Sequence, residues 1–238
     1  MQSEIALITA AGMGVRMLPL TKEIAKPLIK INGIPMIETI IEALNMRSNI
    51  STIYIVVGYK KEQFKYLTLK YGNIVLIENE EYSYKNNISS LKAAENVLGN
   101  ENCFICEADL YISDNSIFRH EFKKSCYFGK FIEGYSDDWV FELHKDRIVN
   151  IKKGGNNLYN MGGVSYWLKD DILKITRAIS SSYSEPNHQD LFWDEVVKRE
   201  LNDMNVEVYP IKPEQVVEID TVDELKNINL LLRTQENI

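Results

Sequence analysis

Short apolar runs alternate with stretches of helical period through the first hundred residues, and this alternation constrains the fold more than any other feature. Residues 5–10, 51–57, 74–77 and 103–107 are strand-sized and almost wholly apolar. Between them, residues 36–46 repeat Ile37, Ile40, Ile41 and Leu44 at helical spacing, and 61–71 and 88–98 read the same way. Strands apolar on both faces with helices between them predict an α/β fold: a Rossmann-like, mixed, mostly parallel sheet flanked by helices. After Asp109 the rhythm changes. Residues 127–132, 139–143, 147–151 and 164–167 read as strands with short turns, hence a small antiparallel extension. Residues 170–181 and 191–201 read as helices, and 206–209 and 216–219 as short strands. Residues 222–232 form a last helix, with Thr221 as N-cap and Glu224 at the capping-box position. No repeat or linker interrupts the 238 residues, so residues 1–238 are expected to form one unit.

Composition excludes several partners. The net charge of −7 makes nucleic acid a poor default. No apolar run approaches the roughly 20 residues of a membrane span, and the start Met1-Gln2-Ser3-Glu4 lacks a basic leader region, so a cytoplasmic location is expected. Cys103 and Cys106 have the spacing of a metal or redox pair, yet Phe104 and Ile105 place them on a strand, where they point to opposite faces. With Cys126 they read as reduced structural thiols.

Directly after the first strand comes Thr9-Ala10-Ala11-Gly12-Met13-Gly14-Val15-Arg16. Gly12 and Gly14 let backbone N–H groups approach an anion, Ala10 and Ala11 leave room beside them, and Arg16 offers a forked cation. Residues 11–30 hold Arg16, Lys22, Lys26 and Lys30 against Glu23 alone, a local charge of +3. The plainer reading is a tight strand-to-helix turn with solvated lysines. Glu107 and Asp109 close one strand and Glu218 and Asp220 another, so each pair shares a strand face at the end where open α/β sheets bind ligands. Together they suit Mg²⁺, although strand-end acids also stand solvated. Trp193 follows Asp190 at helical i+3 spacing, with Asp194 at i+4, and Trp139 follows Asp137 and Asp138. Aromatic faces beside carboxylates suit an ammonium, while Trp is also a common core residue. Asn87 and Ser90 open a helix, as caps or as base-reading groups.

Ala10-Ala11-Gly12-x-Gly14-x-Arg16-x-x-Pro19-Leu20-Thr21, with Lys26 and then Gly33-x-Pro35-Met36-Ile37, resembles the signature of sugar-phosphate nucleotidyltransferases. The residue before the lysine departs from that pattern, being Ala25 with Pro27 following. Asn86-Asn87-x-x-Ser90-Leu91, Glu107-Ala108-Asp109, Asp190-Leu191-Phe192-Trp193-Asp194 and Glu218-Ile219-Asp220 extend the similarity toward bacterial CTP:phosphocholine cytidylyltransferases. The resemblance implies a nucleotidyltransferase fold with a nucleotide-binding half (1–110) and an acceptor-binding half (111–238). It implies CTP and phosphocholine as substrates, giving CDP-choline and pyrophosphate. Catalytic residues would be Lys26, Arg16, Asp109 and Asp220, with Mg²⁺ on Asp109 and Asp220. Ala10, Ala11, Gly12, Gly14, Arg16, Asn87 and Ser90 would hold the nucleotide, and Trp139, Asp190 and Trp193 the acceptor. Glu107 and Glu218 are secondary metal candidates. Another acceptor (phosphoethanolamine, aminoethylphosphonate or a sugar 1-phosphate) is the near alternative. A non-catalytic nucleotide sensor is the distant one.

Overall fold

The structure, a computed structural model, describes residues 2–235; Met1 and Glu236–Ile238, the ends of the expected 1–238 unit, lie outside the described residues. Its strands are β1 (Glu4–Ala10), β2 (Lys30–Ile31), β3 (Ile34–Pro35), β4 (Ile50–Val57), β5 (Ile74–Glu78), β6 (Asn102–Glu107), β7 (Leu110–Ile112), β8 (Ser125–His144), β9 (Arg147–Trp167), β10 (Val206–Pro210) and β11 (Val216–Glu218). The helices are α1 (Met36–Asn45), α2 (Lys65–Lys70), α3 (Ile88–Ala93), α4 (Lys169–Ser182), α5 (Trp193–Glu200) and α6 (Val222–Gln235). Seven strands form the central sheet in the order β10-β8-β9-β6-β1-β4-β5. β6, β1, β4 and β5 are parallel, β9 runs antiparallel to β6, β8 antiparallel to β9, and β10 parallel to β8. The mixed, mostly parallel sheet expected from the sequence is therefore present.

Alternation along β1 explains the layering. Ile5 and Leu7 face a core cluster with Ile88, Leu91, Ile172, Ile175, Val196 and Val197, drawn from α3, α4 and α5. Ala6, Ile8 and Ala10 face the opposite cluster, which holds Ile37, Ile40, Ile41 and Leu44 of α1 and Leu67 of α2. Cys103 and Cys106 fall into these two different clusters, and all three cysteines are buried outside any disulfide. A third cluster joins Met17, Ile29, Ile31 and Met36 to Ile219 and the inner side of α6.

Several local expectations shift. Residues 61–71 begin as a 3₁₀ turn (Lys61–Phe64) before α2, α3 ends at Ala93 rather than 98, and α5 starts at Trp193 rather than 191. The four short antiparallel strands are two long ones. Register shifts and positive φ at Gly134, Gly154 and Gly163 let β8 and β9 bend, so residues that look like turns remain paired. Asn32 and Gly33, both at positive φ, join β2 to β3 as a two-residue hairpin turn. β7, absent from the sequence reading, pairs antiparallel with β11, with Leu110 opposite Glu218. Among the described residues no helix is long and apolar enough to cross a membrane.

Candidate active site

A cleft of about 720 Å³ opens at the C-terminal ends of β1 and β6. Its first wall is the loop after β1. Gly14 sits at φ 61°, and a Cβ there would lie 2.8 Å from Cβ of Lys26. Glycine is thus required both for the left-handed backbone and for the close passage of the lysine stem. Thr21 Oγ1 donates to the Gly14 carbonyl at 3.1 Å, and Tyr59 N–H to the Ala11 carbonyl at 3.0 Å, which pins the loop at both ends. Ala11 and Gly12 line the cleft. Ala10 does not: strand alternation turns it into the core at 2% exposure. Gly14 also stays out of the lining and serves as backing for Lys26.

The pairing of β7 with β11, completed by Ile219 N–H donating to the Asp109 carbonyl at 3.0 Å, brings two distant acidic strand ends together. Lys26, only 8% exposed, holds both: its Nζ donates to Asp109 Oδ2 and to Asp220 Oδ1, each at 2.7 Å. Arg16, on an exposed 3₁₀ turn, reaches Asp220 Oδ1 at 2.6 Å. Burial works against the charge of Lys26, but Asp109 and Asp220 outweigh it and raise its pKa above the usual lysine value. Burial also opposes ionisation of Asp220, and Lys26 and Arg16 reverse this, holding its carboxyl below the usual range. Glu107 has no such partner. Its burial, then the charges of Asp109, Glu218 and Asp194, push its pKa well up. Burial beside Asp109 and Asp220 likewise raises Glu218.

The acids therefore outnumber their cations. Oxygens of Glu107, Asp109 and Glu218 lie within 4.8 Å of one another, and Asp109 Oδ1 is buried without a hydrogen-bond partner. An orphaned carboxylate oxygen in a crowded all-oxygen cluster fits a hard divalent cation. Asp220, the expected second ligand, borders this cluster but is already engaged by Lys26 and Arg16. Gly163, at φ 73°, closes the wall, since a Cβ there would lie 3.1 Å from Glu107 Oε2.

Opposite the loop lie Asn87 and Ser90, with Asn79, Tyr82 and Ser89, which sequence reasoning did not single out. Asn79 is 2% exposed and donates to Ser89 Oγ at 2.9 Å and Ser90 Oγ at 3.3 Å. Asn87 does not cap its own helix. Its Oδ1 accepts the Trp193 N–H at 2.9 Å, so it caps α5 and ties this wall to the next.

The third wall joins β8 to α5. Trp139 lines it, with Asp137 and Asp138 beside it, the Lys153 ammonium 5.5 Å from its ring centre and Phe192 packed edge-on at 5.8 Å. Trp193 does not line it. Its ring lies in the core against Tyr127 and Trp167, with centroids 6.0 and 6.1 Å away. Asp190 is exposed, at the end of a 3₁₀ turn (His188–Asp190) outside the lining. Because α5 starts at Trp193, the i+3 relation of these two residues never forms. Phe192 and Asp194 take the lining positions instead. Asp194 is 4% exposed and accepts the Tyr127 hydroxyl proton at 2.8 Å; burial pushes its carboxyl up to about 7.

Comparison with known proteins agrees with this arrangement. Residues 5–133 match the family described as Nucleotidyl transferase. A 2-aminoethylphosphonate cytidylyltransferase of Lancefieldella rimae is 48% identical over 221 residues, 92% of this chain and 89% of its own length. A choline-phosphate cytidylyltransferase of Streptococcus pneumoniae is 34% identical over 97% of this chain and 99% of its own. The solved CTP:phosphocholine cytidylyltransferase from Streptococcus pneumoniae superposes with a TM-score of 0.89 at 33% identity, covering 97% of this chain and 99% of that one. A putative glucose-1-phosphate thymidylyltransferase from Bacillus anthracis, at TM-score 0.77 and 17% identity over 97% of this chain and 96% of its own, shares the fold. A phosphate-type loop, a lysine shared by two strand-end aspartates and full-length likeness to such relatives lead to one conclusion: this chain is a nucleotidyltransferase, a member of the Nucleotidyl transferase family and within it of the cytidylyltransferases.

Proposed function

We propose that the chain transfers the cytidylyl group of CTP to 2-aminoethylphosphonate, releasing pyrophosphate. The observation that carries this reading is the make-up of the acceptor wall. Asp137, Asp138 and Asp194 line it, while Trp193, which the sequence reading gave to an aromatic cage, is in the core. A primary ammonium has N–H donors that match carboxylates, whereas a trimethylammonium relies on aromatic faces. The 48% relative bears a 2-aminoethylphosphonate name and supports the same choice. Phosphocholine, the acceptor implied by the sequence resemblance, is the second reading. The Trp139–Phe192 pair and the choline-phosphate relatives favour it.

In the proposed reaction an oxygen of the acceptor phosphonate attacks the α-phosphorus of CTP. The new P–O bond forms as the bond from that phosphorus to the pyrophosphate oxygen breaks. The nucleophile is anionic near neutral pH, so positioning and charge neutralisation carry the step and no general base is needed. Ala11 and Gly12, through their amides, and Arg16, all of which line the cleft, would receive the distal phosphates. Lys26, fixed by Asp109 and Asp220, supplies a buried positive charge beside the reacting phosphates. Asp109, whose Oδ1 has no partner, with Glu107 and Glu218 beside it and Asp220 at the border, would hold Mg²⁺, which when bound would supply positive charge to the phosphates.

Pyrophosphate release with four nucleoside triphosphates against 2-aminoethylphosphonate, phosphocholine, phosphoethanolamine and sugar 1-phosphates tests the reading. The expected result is a kcat/KM for CTP with 2-aminoethylphosphonate at least about tenfold above any other pair, the equivalent of one lost hydrogen bond to charge. A preference for phosphocholine would replace the acceptor. Silence across the panel would favour a nucleotide-sensing protein.

A further inference from the structure

Trp139 does not meet an incoming acceptor with a bare ring. It stands in β8 directly opposite Lys153 of β9, so both side chains leave the ribbon on the same side, roughly 5 Å apart at Cβ. Register shifts on either side of Trp139 bend the ribbon at this pair, and both residues line the cleft. The Lys153 ammonium lies 5.5 Å from the ring centre, within reach of a cation–π contact. Asp137 and Asp138 line the same wall, and Asp138 Oδ1 accepts the Trp139 N–H at 2.7 Å. Even so, the exposed Lys153 ammonium makes no hydrogen bond or ion pair among the described residues and rests on the ring instead.

A primary ammonium and a trimethylammonium meet this pair differently. The first carries N–H donors and can settle on Asp137, Asp138 or Asp194 without touching the ring. The second has no donors and draws its attraction from an aromatic face, and one face does not serve two cations at once. To reach Trp139 it must push Lys153 aside, losing that contact and bringing like charges together. Phe192, packed edge-on at 5.8 Å, already covers another part of the ring. We propose that Lys153 is a specificity-determining residue: resting on Trp139, it withholds the aromatic face from a quaternary ammonium and so favours acceptors with a primary one. The inference rests on the reading that the acceptor turns its ammonium toward this wall. It gives the preference for 2-aminoethylphosphonate over phosphocholine a cause in one side chain.

Full-length wild-type, Lys153→Met, Lys153→Gln, Lys153→Arg and Lys153→Met/Trp139→Leu chains would be compared by pyrophosphate release at saturating CTP. The acceptors would be 2-aminoethylphosphonate, phosphoethanolamine and phosphocholine, the last two differing only in methylation of the nitrogen. The readout is the ratio of kcat/KM for phosphocholine to that for each primary amine. Lys153→Met and Lys153→Gln are expected to raise both ratios by about 3–30-fold, the span of one cation–π contact. Lys153→Arg should keep the wild-type ratios, since a guanidinium also stacks on an aromatic face. Adding Trp139→Leu to Lys153→Met should cancel the gain. A shift smaller than about threefold in folded Met and Gln variants overturns the assignment, as does a gain that persists without Trp139. A cross-strand prop, or a field acting on every ammonium acceptor, would move the melting temperature or all three kcat/KM values alike and leave the ratios where they were. A wild-type chain that prefers phosphocholine overturns the choice of acceptor, while the shift in the ratios still judges Lys153. A wild-type chain that turns over none of the three overturns the functional reading. Calorimetric titration of phosphocholine then decides, tighter binding to Lys153→Met than to wild type supporting the assignment and equal binding rejecting it.

Discussion

Lys26 joins the two halves of the sequence: one side chain from the first thirty residues fixes aspartates 83 and 194 positions away. Its replacement by Met should lower kcat by about 10²–10³, the effect of removing one preorganised charge-stabilising donor. Rapid-quench or steady-state assays on protein with wild-type circular dichroism would check this, and near-normal turnover would reject the role. Asp194 invites a different measurement. Its folded value of about 7 lies above the ordinary aspartate value of 3.8. The unfolded chain therefore loses this proton first, and the site withdraws stability as pH rises from about 4 to about 7, with no further change above. Urea titrations at pH 5 and pH 8 should show a smaller loss of stability over that interval for Asp194→Asn than for wild type. The basic loop holding Lys26 and the acidic strand ends, Glu107 and Asp109 with Glu218 and Asp220, were legible in the sequence from position and charge, while the resemblance to nucleotidyltransferases singled out Lys26, Asp109 and Asp220 among them. Trp193 misled because helical spacing carries information only once the first helical residue is known, and a shift of two positions moved its ring from the cleft into the core. Asn79 bore no local signal, since its partners Ser89 and Ser90 come from a separate helix.

At the scale of elements, caps and turns did much of the positioning. The Thr221–Glu224 box reads directly from the sequence and forms as expected: Glu224 N–H donates to Thr221 Oγ1 at 3.2 Å, and Glu224 Oε2 accepts from Thr221 N–H at 2.8 Å and from Asp220 N–H at 2.7 Å. Thr221→Ala should cost about 1 kcal/mol in chemical denaturation, typical of a lost N-cap. Activity should change little, because Glu224 still anchors the Asp220 backbone. The parallel strands were legible because each is apolar on both faces. β8 and β9 were legible only at their ends, as four short strands, because their middle stretches are polar and glycine-rich, and only the partner strand reveals those as paired. β7 escaped for a related reason: three residues carry too little pattern to stand out, and β11 supplies their hydrogen bonds.

For the molecule as a whole, the net charge of −7 divides into a basic loop and a crowded acidic cluster. Folding alone holds those carboxylates close together, so a divalent cation that binds only the folded state should stabilise it. Adding Mg²⁺ at about 100 times its dissociation constant should contribute about 2.7 kcal/mol, read as a rise in melting temperature. Excess chelator should reverse the rise and abolish turnover, and Asp109→Asn should lose most of the thermal response. An unchanged melting temperature across the titration would remove the cation from this site. The bent β8–β9 ribbon has a consequence of another kind. It begins inside the central sheet and ends at the third wall of the cleft, the proposed acceptor side, where Phe192 and Asp194 join it, while the loop after β1 and the wall holding Asn87 and Ser90 belong to earlier stretches of chain. Changes confined to one ribbon could therefore retune which alcohol phosphate or phosphonate is used while the triphosphate grip stays intact. In evolutionary terms, substrate choice and reaction chemistry are separately heritable in this architecture.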